Sequence, residues 1–215
     1  MAKRRKKKKK IQKRLTGFIL GAAFLIVAFF ILFVAVVKAG WFGKLPTEDE
    51  LQSIQSQTAT LVYSSDEVLL GKYFKQNRTK IDWNEIPQHL VNALVATEDA
   101  RFFEHEGIDS KSYMRVLIKT IILGDESSGG GSTITQQLVK NLYGRTNYAI
   151  MTLPVNKVKE AIIAQRMEEI YTKRQILLLY FNTVPFGENV YGIEAAANRY
   201  FNKNTSELSI AEAAT

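Results

Sequence analysis

Glu98 is the first residue whose type and position suit a catalytic role. Apolar residues precede it at helical spacing, namely Val91, Leu94 and Val95, and Glu98 continues that stripe by one turn. Burial and the negative end of the helix dipole would both disfavour the carboxylate anion there. A carboxyl group so placed can exchange protons near neutral pH as a general acid or base. The alternatives are a helix-end glutamate that faces water or one that pairs with Arg101.

A glycine-rich loop followed by a polar helix face is the second candidate, in the segment 131–141. Thr133 and Gln136 have the spacing of a capping box, which predicts a helix start. Thr133, Gln137 and Lys140 then share one helix face. An apolar face lies beside it, formed by Ile134, Leu138 and Leu142. A helix N-terminus with these donors suits an anion such as pyrophosphate, and the alternative is a solvated helix face.

A third helix face combines Lys157 and Glu160 with the small residues Ala161 and Ala164. The small side chains would leave room for a ligand beside the two charges. The competing interpretation is an ordinary i, i+3 surface ion pair, which stabilises a protein little.

Several classes of site are excluded or disfavoured. The chain has no cysteine, so it has no disulfide, no thiolate metal site and no cysteine nucleophile. His89 is too isolated for a metal site, and His105 is more typical of a structural hydrogen-bonding residue. The sequence shows no zinc pattern, nucleophile elbow or nucleotide-binding loop.

Mostly helical elements must position these residues. Of the 215 residues, 46% are hydrophobic and 23% are charged, which is typical of a folded domain. Residues 46–50 resemble a helix start, and residues 58–74 predict a pair of strands around a turn-like segment at 64–67. The helical periodicity predicts helices over 87–98, 109–123, 133–142, 156–171, 173–181 and 191–200.

The N-terminal part is a basic tail followed by an apolar segment. Residues 1–14 contain ten Lys or Arg and no acid, so the net charge of +8 is local and the rest of the chain carries −2. Residues 15–37 are uncharged, and as a helix they would span roughly 35 Å, enough to cross a bilayer core of about 30 Å. We therefore expect a retained transmembrane helix. A cleaved signal peptide is the alternative, but Ala35 and Ala39 fit a cleavage site poorly.

The excess of basic residues before the apolar segment predicts that residues 1–14 are cytoplasmic and that the domain after Lys38 is extracytoplasmic or periplasmic. Trp41 and Phe42 would lie at the outer interface. Attraction to anionic lipid explains the basic tail more simply than nucleic-acid binding. We therefore expect a single-pass protein of the cytoplasmic (inner) membrane, and no nucleic-acid partner.

The candidate segments together resemble glycosyltransferase family 51, the transglycosylase module of class A penicillin-binding proteins and of monofunctional transglycosylases. Residues 98–107 have the form Glu-Asp-x-x-Phe-x-x-His-x-Gly, and residues 131–141 match the second motif without a gap. Residues 156–160 resemble the third motif, usually Arg-Lys-x-x-Glu. Residues 176–182, 192–201 and 208–213 follow later motifs, so the likeness covers about 82–215.

This resemblance implies a mainly α, lysozyme-like domain over 82–215 with a membrane-dipping subdomain, after a connector with a small β element over 38–81. It implies polymerisation of lipid II into β-1,4-linked glycan with release of undecaprenyl pyrophosphate and inversion at the anomeric carbon. Glu98 would be the general base and Glu160 the second carboxylate. The further implied substrate-binding residues are Asp99, Phe102 and His105 around Glu98, then Arg115, Ser132, Thr133, Gln136, Gln137, Lys140, Asn141 and Lys157.

Two departures from the family pattern stand out. Asn156 occupies a position that is usually Arg, so one positive charge is missing, and Lys157 or Lys159 could compensate. The stretch 143–155 is longer than usual. The chain stops within a predicted helical run at Thr215, so we expect the domain to be incomplete at its C-terminus.

The implied partners are lipid II, the growing lipid-linked glycan and the membrane, with other cell-wall synthesis proteins as further candidates. We expect no required cofactor and no dedicated metal site; Mg²⁺ or Mn²⁺ could stimulate the reaction weakly as a Lewis acid. Two other functions stay open. One is an inactive or truncated, membrane-tethered module that binds lipid II. The other is a lysozyme-like hydrolase, which would cut glycan with two carboxyl groups and would need no lysine cluster.

Overall fold

A computed structural model describes residues 2–54, 60–63, 69–73, 80–117, 130–187 and 189–215, with side chains described for 14–54, 80–116, 130–187 and 189–215. The chain forms two compact units, Met1–Leu45 and Pro46–Thr215, and each is described by itself.

The first unit is one long helix, α1 (Ala2–Lys38), followed by a turn. Within it, Arg14–Lys38 has a mean hydropathy of 3.1 and is long and apolar enough to cross a membrane. Most of its large apolar side chains are exposed. The basic tail continues the same helix, because Lys, Arg and Gln are good helix formers. The helix ends at a turn in which Gly40 has a positive φ, and Trp41 is 84% exposed just beyond it.

The second unit begins with α2 (Glu48–Gln52), where Thr47 and Glu50 form a reciprocal capping box, so the predicted helix start is confirmed. Strands β1 (Thr60–Tyr63) and β2 (Leu69–Tyr73) pair antiparallel with Thr60 opposite Tyr73. The predicted strand pair is therefore present, while its turn at 64–67 lies outside the described residues.

The rest of the second unit is helical. Its helices are α3 (Gln88–Glu98), α4 (Ser110–Leu117), α5 (Ile134–Tyr143), α6 (Thr152–Ile170), α7 (Lys173–Thr183), α8 (Ile193–Phe201) and α9 (Ile210–Ala213). Single 3₁₀ turns lie at Trp83–Glu85, Phe102–Glu104, Ala149–Met151 and Thr205–Glu207. The predicted fold class is confirmed: a mainly α chain with a small β element and an N-terminal apolar helix.

Helices α3, α5, α7 and α8 agree with their predicted bounds to within two residues. The helix predicted over 109–123 is described as far as Leu117, and 118–123 lies outside the described residues. Helix α6 begins four residues earlier than the predicted residue 156. Pro154 does not prevent this, because a proline in the first turn of a helix lacks only an N–H that would have had no partner.

Helix α5 lies at the centre of the core and packs against α6 and α7. Its buried apolar residues are Ile134, Leu138 and Val139. The two neighbouring helices contribute further buried apolar residues, namely Ile163, Met167, Ile176, Leu177 and Phe181. Because α5 is fixed on its apolar side, the side chains on its polar side have a defined place in the second unit.

Candidate active site

A cavity of about 680 Å³ lies where α3 ends and α5 begins, with α4 and α6 completing its walls. Ten of the predicted site residues line it: Glu98, Asp99, Arg115, Ser132, Thr133, Gln136, Gln137, Lys140, Lys157 and Glu160. Phe102, His105 and Asn141 do not. Motifs far apart in sequence therefore meet in one cavity.

Glu98 stands at the last residue of α3 and is exposed to the cavity. The Gln137 side-chain amide donates to Glu98 Oε2 at 2.6 Å, and its carbonyl oxygen accepts from the Tyr180 hydroxyl at 3.2 Å. Burial, and then the nearby charge of Glu98, raise the pKa of Tyr180 to about 12, so this hydroxyl stays a donor. The carboxylate is thus oriented by a neutral donor.

This geometry corrects the expected burial of Glu98 and excludes one of the two alternatives. The carboxylate continues the apolar stripe in sequence but is not buried. Nor does it pair with Arg101, whose guanidinium binds both oxygens of Asp109. That contact holds the pKa of Asp109 well below its usual range, mainly through the hydrogen bond from Arg101. Glu98 therefore lines the cavity without an ion pair to Arg101.

Asp99 supplies a fixed negative charge at the start of α5. Its carboxylate accepts the backbone N–H of Ile134 at 3.1 Å and contacts His105 Nε2 at 3.0 Å, and the residue is buried. An anion is favoured there by the helix dipole. The helix N-terminus that suggested a pyrophosphate site therefore already holds an internal carboxylate, which ties α5 to the end of α3.

Phe102 and His105 lie behind Asp99. Phe102 is fully buried and packs edge-on against the His105 ring. The Lys173 ammonium lies 4.3 Å from the Phe102 ring centroid and donates to the His105 carbonyl oxygen at 2.6 Å. These residues position the Asp99 carboxylate and do not reach the cavity themselves.

The loop before α5 is fixed by its own side chains. The capping box predicted for Thr133 and Gln136 is confirmed. The Thr133 hydroxyl also donates to the Gly107 carbonyl at 2.7 Å, so this group is engaged internally and is not an available donor. Gln136 is buried, its oxygen accepts from Thr133 N and Tyr113 Oη, and its Nε2 has no hydrogen-bond partner among the described residues.

Glu160 is the centre of a buried ion cluster on α6. The residue is 3% exposed, and its oxygens accept from Arg145 Nε at 2.7 Å and Lys157 Nζ at 2.8 Å. Lys157 also donates to the Ser132 hydroxyl at 2.8 Å. The interpretation as a surface ion pair is therefore wrong, because a second cation from another segment covers the carboxylate.

Arg145 was not singled out from the sequence. It lies in the stretch that is longer than usual in the family, just after α5. Its Nη2 also approaches Glu160 Oε2 at 3.4 Å, and the Glu160 carboxylate raises the pKa of this guanidinium. The signal that could have found it is the missing charge at position 156, which calls for a cation nearby in the chain.

Asn156 has a structural role instead of a charge. It is buried, and its amide donates to the carbonyl oxygens of Thr146 and Thr152 while its oxygen accepts from Thr146 N. Lys159 donates to the Tyr148 hydroxyl at 2.9 Å and does not line the cavity. Of the two lysines expected to compensate for Asn156, only Lys157 reaches the cavity.

The small residues of α6 serve packing. Ala164 is fully buried, and a Cβ on Gly107 would lie 2.8 Å from the Ala164 backbone. Gly107 has a φ of +81°, which also favours glycine. The expected room for a ligand beside Ala164 is therefore filled by the chain around Gly107.

The described residues offer no ready divalent-cation site, because no three His, Asp or Glu side chains among them converge. The buried Glu160 carboxylate is already bound to two cations. Weak stimulation by Mg²⁺ or Mn²⁺ stays a prediction.

Comparison with known proteins gives a family match that includes the residues of this site. The transglycosylase family matches residues 66–215. Penicillin-binding protein 1A of Neisseria lactamica is 36% identical over 202 residues, which are 94% of this chain and 25% of that protein. The Neisseria flavescens protein of the same name is 39% identical over 84% of this chain and 22% of its own length. Penicillin-binding protein 1F of Bacillus subtilis is 35% identical over 88% of this chain and 26% of its own length.

The chain thus spans about a quarter of the length of these relatives. The family match covers the cavity and every element that lines it. On this match, the chain belongs to the transglycosylase family.

Proposed function

We propose that this chain is a peptidoglycan glycosyltransferase that polymerises lipid II into β-1,4-linked glycan strands. The proposal rests on one cavity in which an oriented carboxylate, Glu98, occurs together with cationic side chains, among them Lys140, Arg145 and Lys157. Glycosyl transfer from a pyrophosphate needs both parts: a base for the acceptor hydroxyl and positive charge for the leaving group.

In the proposed step, the C4 hydroxyl oxygen of the acceptor sugar attacks the anomeric carbon of the donor chain. Glu98 takes the hydroxyl proton as the new C–O bond forms. The bond from the anomeric carbon to the pyrophosphate oxygen breaks, and the pyrophosphate keeps the electron pair. Attack opposite the leaving group inverts the anomeric centre, which gives the β link.

Glu98 suits the base because the Gln137 amide holds one carboxylate oxygen at 2.6 Å without neutralising its charge. A carboxylate paired with arginine would be a weaker proton acceptor. The contact between Arg101 and Asp109 keeps the nearest guanidinium engaged elsewhere.

The departing pyrophosphate would meet the cation cluster. Lys140 is exposed, one turn after Gln137 on α5. Glu160 holds Arg145 and Lys157 in place, and two cations on one carboxylate leave a net positive charge for the leaving group. Glu160 is therefore proposed as a positioning residue.

The apolar helix Arg14–Lys38 is proposed as a retained anchor, with the N-terminus cytoplasmic and the catalytic unit on the outer face of the cytoplasmic membrane. A substrate with a long lipid tail remains in the bilayer, so an anchored enzyme meets it at high local concentration. The growing lipid-linked glycan is the proposed second substrate.

The test distinguishes a protein that builds glycan from one that cuts it. The full chain in detergent is given fluorescent lipid II, and separately preformed glycan. We expect a long, lysozyme-sensitive polymer and released undecaprenyl pyrophosphate from the first, and no fragments from the second. Fragments from preformed glycan without polymer would favour a hydrolase and overturn the proposal. The same assay with and without EDTA measures any stimulation by Mg²⁺ or Mn²⁺.

A further inference from the structure

Tyr180 does not line the cavity of the candidate active site, but it lies one residue away from the Glu98 carboxylate. Its hydroxyl donates to Gln137 Oε1 at 3.2 Å, and Gln137 Nε2 donates to Glu98 Oε2 at 2.6 Å. Side chains from three helices, α7, α5 and α3, therefore form one series of hydrogen bonds that ends on the proposed base.

The middle member of this series, the side-chain amide of Gln137, has two possible orientations. They differ by a half-turn, which exchanges the positions of its oxygen and its nitrogen. With Nε2 toward Glu98, the amide donates a hydrogen bond to the carboxylate. In the reversed orientation two acceptor oxygens would face each other and repel. The orientation of the amide therefore decides whether the Glu98 carboxylate is held or pushed away.

The Tyr180 hydroxyl distinguishes between these two orientations. In the reversed one, Gln137 Nε2 would face the hydroxyl, and the O–H group would lose its acceptor. Tyr180 is 5% exposed, so water cannot readily replace that acceptor, and a buried donor without a partner is unfavourable. Burial, more than the charge of Glu98, raises the pKa of Tyr180 to about 12, so the phenol keeps its proton in neutral solution.

No other side chain in the described part of the chain shares this task. Among the described residues, the Gln137 amide is the one hydrogen-bond donor to the Glu98 carboxylate, and Tyr180 is the one donor to Gln137 Oε1. Helix α7 packs against α5, and its residues Leu177 and Phe181, close to Tyr180 in sequence, are buried. The hydroxyl thus has a defined place beside the amide.

We propose that Tyr180 is a positioning residue for the base, because its hydroxyl fixes the Gln137 amide with Nε2 toward Glu98. This deepens the proposed function and rests on it, since it takes Glu98 as the base of the transfer. Tyr180 does not line the cavity, so its hydroxyl should affect the transfer step and not the binding of substrate. Its loss should therefore lower kcat and leave the KM for lipid II nearly unchanged.

Tyr180→Phe removes the hydroxyl and keeps the ring, so the variant should fold. We expect kcat for polymerisation of fluorescent lipid II by the full chain to fall roughly two- to tenfold, the effect of one hydrogen bond. Tyr171→Phe is the matched control. Its hydroxyl donates to the Leu51 carbonyl oxygen at 2.5 Å, and neither residue lines the cavity. The control should lower Tm without lowering kcat.

A double-mutant cycle separates positioning of the amide from packing of the ring. If Tyr180 acts through Gln137, Tyr180→Phe should not lower kcat further in a chain that already carries Gln137→Ala. Losses that multiply in the double variant would overturn the proposal. A kcat for Tyr180→Phe equal to that of the unaltered chain would overturn it as well.

The Gln137 side-chain amide also gives a readout that needs no activity. In a chain labelled with the heavy nitrogen isotope, its magnetic resonance signals are identified by their absence from Gln137→Ala. We expect these signals to move in Tyr180→Phe and to stay in place in Tyr171→Phe. Unmoved signals in Tyr180→Phe would overturn the proposal. Absence of polymer from the unaltered chain would instead count against the proposed function, so the two failures are distinguishable.

Discussion

Replacement of Arg145 by alanine tests the ion cluster that the structure places in the cavity. Glu160 is 3% exposed and would keep one cation, Lys157 at 2.8 Å, after losing two contacts to Arg145 at 2.7 and 3.4 Å. Removing the only partner of a buried charge costs about 3–5 kcal/mol, and removing a partner at the surface costs about 0–1 kcal/mol.

The expected cost lies between these limits. The Arg145 side chain is 36% exposed, so solvent screens part of its attraction, and Lys157 continues to neutralise the carboxylate. We therefore expect Arg145→Ala to lower the free energy of unfolding by about 1–2 kcal/mol. For a protein of this size, that corresponds to a fall in Tm of roughly 2–8 °C.

The assay is thermal unfolding of the full chain in detergent, followed by tryptophan fluorescence. Lys111→Ala is the matched control, because Lys111 is an exposed cation of α4 that does not line the cavity, and its loss should cost under about 0.5 kcal/mol. In a chain that already carries Glu160→Gln, Arg145→Ala should lower the free energy of unfolding by less than it does in the unaltered chain. Equal Tm values for Arg145→Ala and Lys111→Ala, or strictly additive effects in the double variant, would refute the cluster.

Three further substitutions probe other parts of the unit. Gly107→Ala should cost roughly 2–4 kcal/mol in unfolding free energy, because a Cβ would meet the α6 backbone at 2.8 Å in a left-handed conformation. Asp109→Asn should make Tm fall less steeply in acid. The hydrogen bond from Arg101 lowers the pKa of Asp109, so the ion pair stabilises the folded chain above the ordinary carboxyl pKa of 3.8, and this stabilisation is lost as the pH falls below that value. Gln137→Ala should slow polymerisation roughly tenfold or more with little change in Tm, since it removes the donor that orients Glu98.

Each of these has its own check. For Gly107→Ala, an unchanged Tm would mean that the close approach to α6 is relaxed in solution. For Asp109→Asn, Tm is followed from about pH 6 to about pH 2. A change of Tm with pH equal to that of the unaltered chain would show that the ion pair of Asp109 does not stabilise the folded state. For Gln137→Ala, undiminished polymer formation from lipid II would show that the amide does not orient the base.

Local patterns predicted much of the fold. The apolar run before Lys38, the helix start at 46–50, the capping box at Thr133 and the helical periodicity of α3, α5 and α7 depend on neighbouring residues, so they could be predicted from the sequence. The start of α6 was missed because Pro154 is tolerated in a first helical turn.

The site was predictable where its residues stand in long motifs, and less so where contacts cross the chain. The lining of the cavity by Glu98, Gln137, Lys140 and Glu160 followed from motif resemblance. Apart from the missing charge at position 156, nothing local to Glu160 indicates that Arg145, fifteen residues earlier, covers it.

Burial was also hard to predict around the site. The stripe before Glu98 suggested a buried carboxyl group, but the helix ends where the cavity opens, so its last residue faces solvent. The sequence predicted that the Thr133 hydroxyl is an available donor, but this hydroxyl donates to the carbonyl oxygen of Gly107. Both differences arise from packing between distant segments, which periodicity does not record.

Glu98 is the proposed base of the glycosyl transfer. The most direct measurement is polymerisation of fluorescent lipid II by the full chain, by Glu98→Gln and by Glu106→Gln, an exposed glutamate of the same motif that does not line the cavity. We predict polymer from the unaltered chain and from Glu106→Gln, and none from Glu98→Gln although that variant still binds lipid II. Polymer from Glu98→Gln at the rate of the unaltered chain would contradict this role.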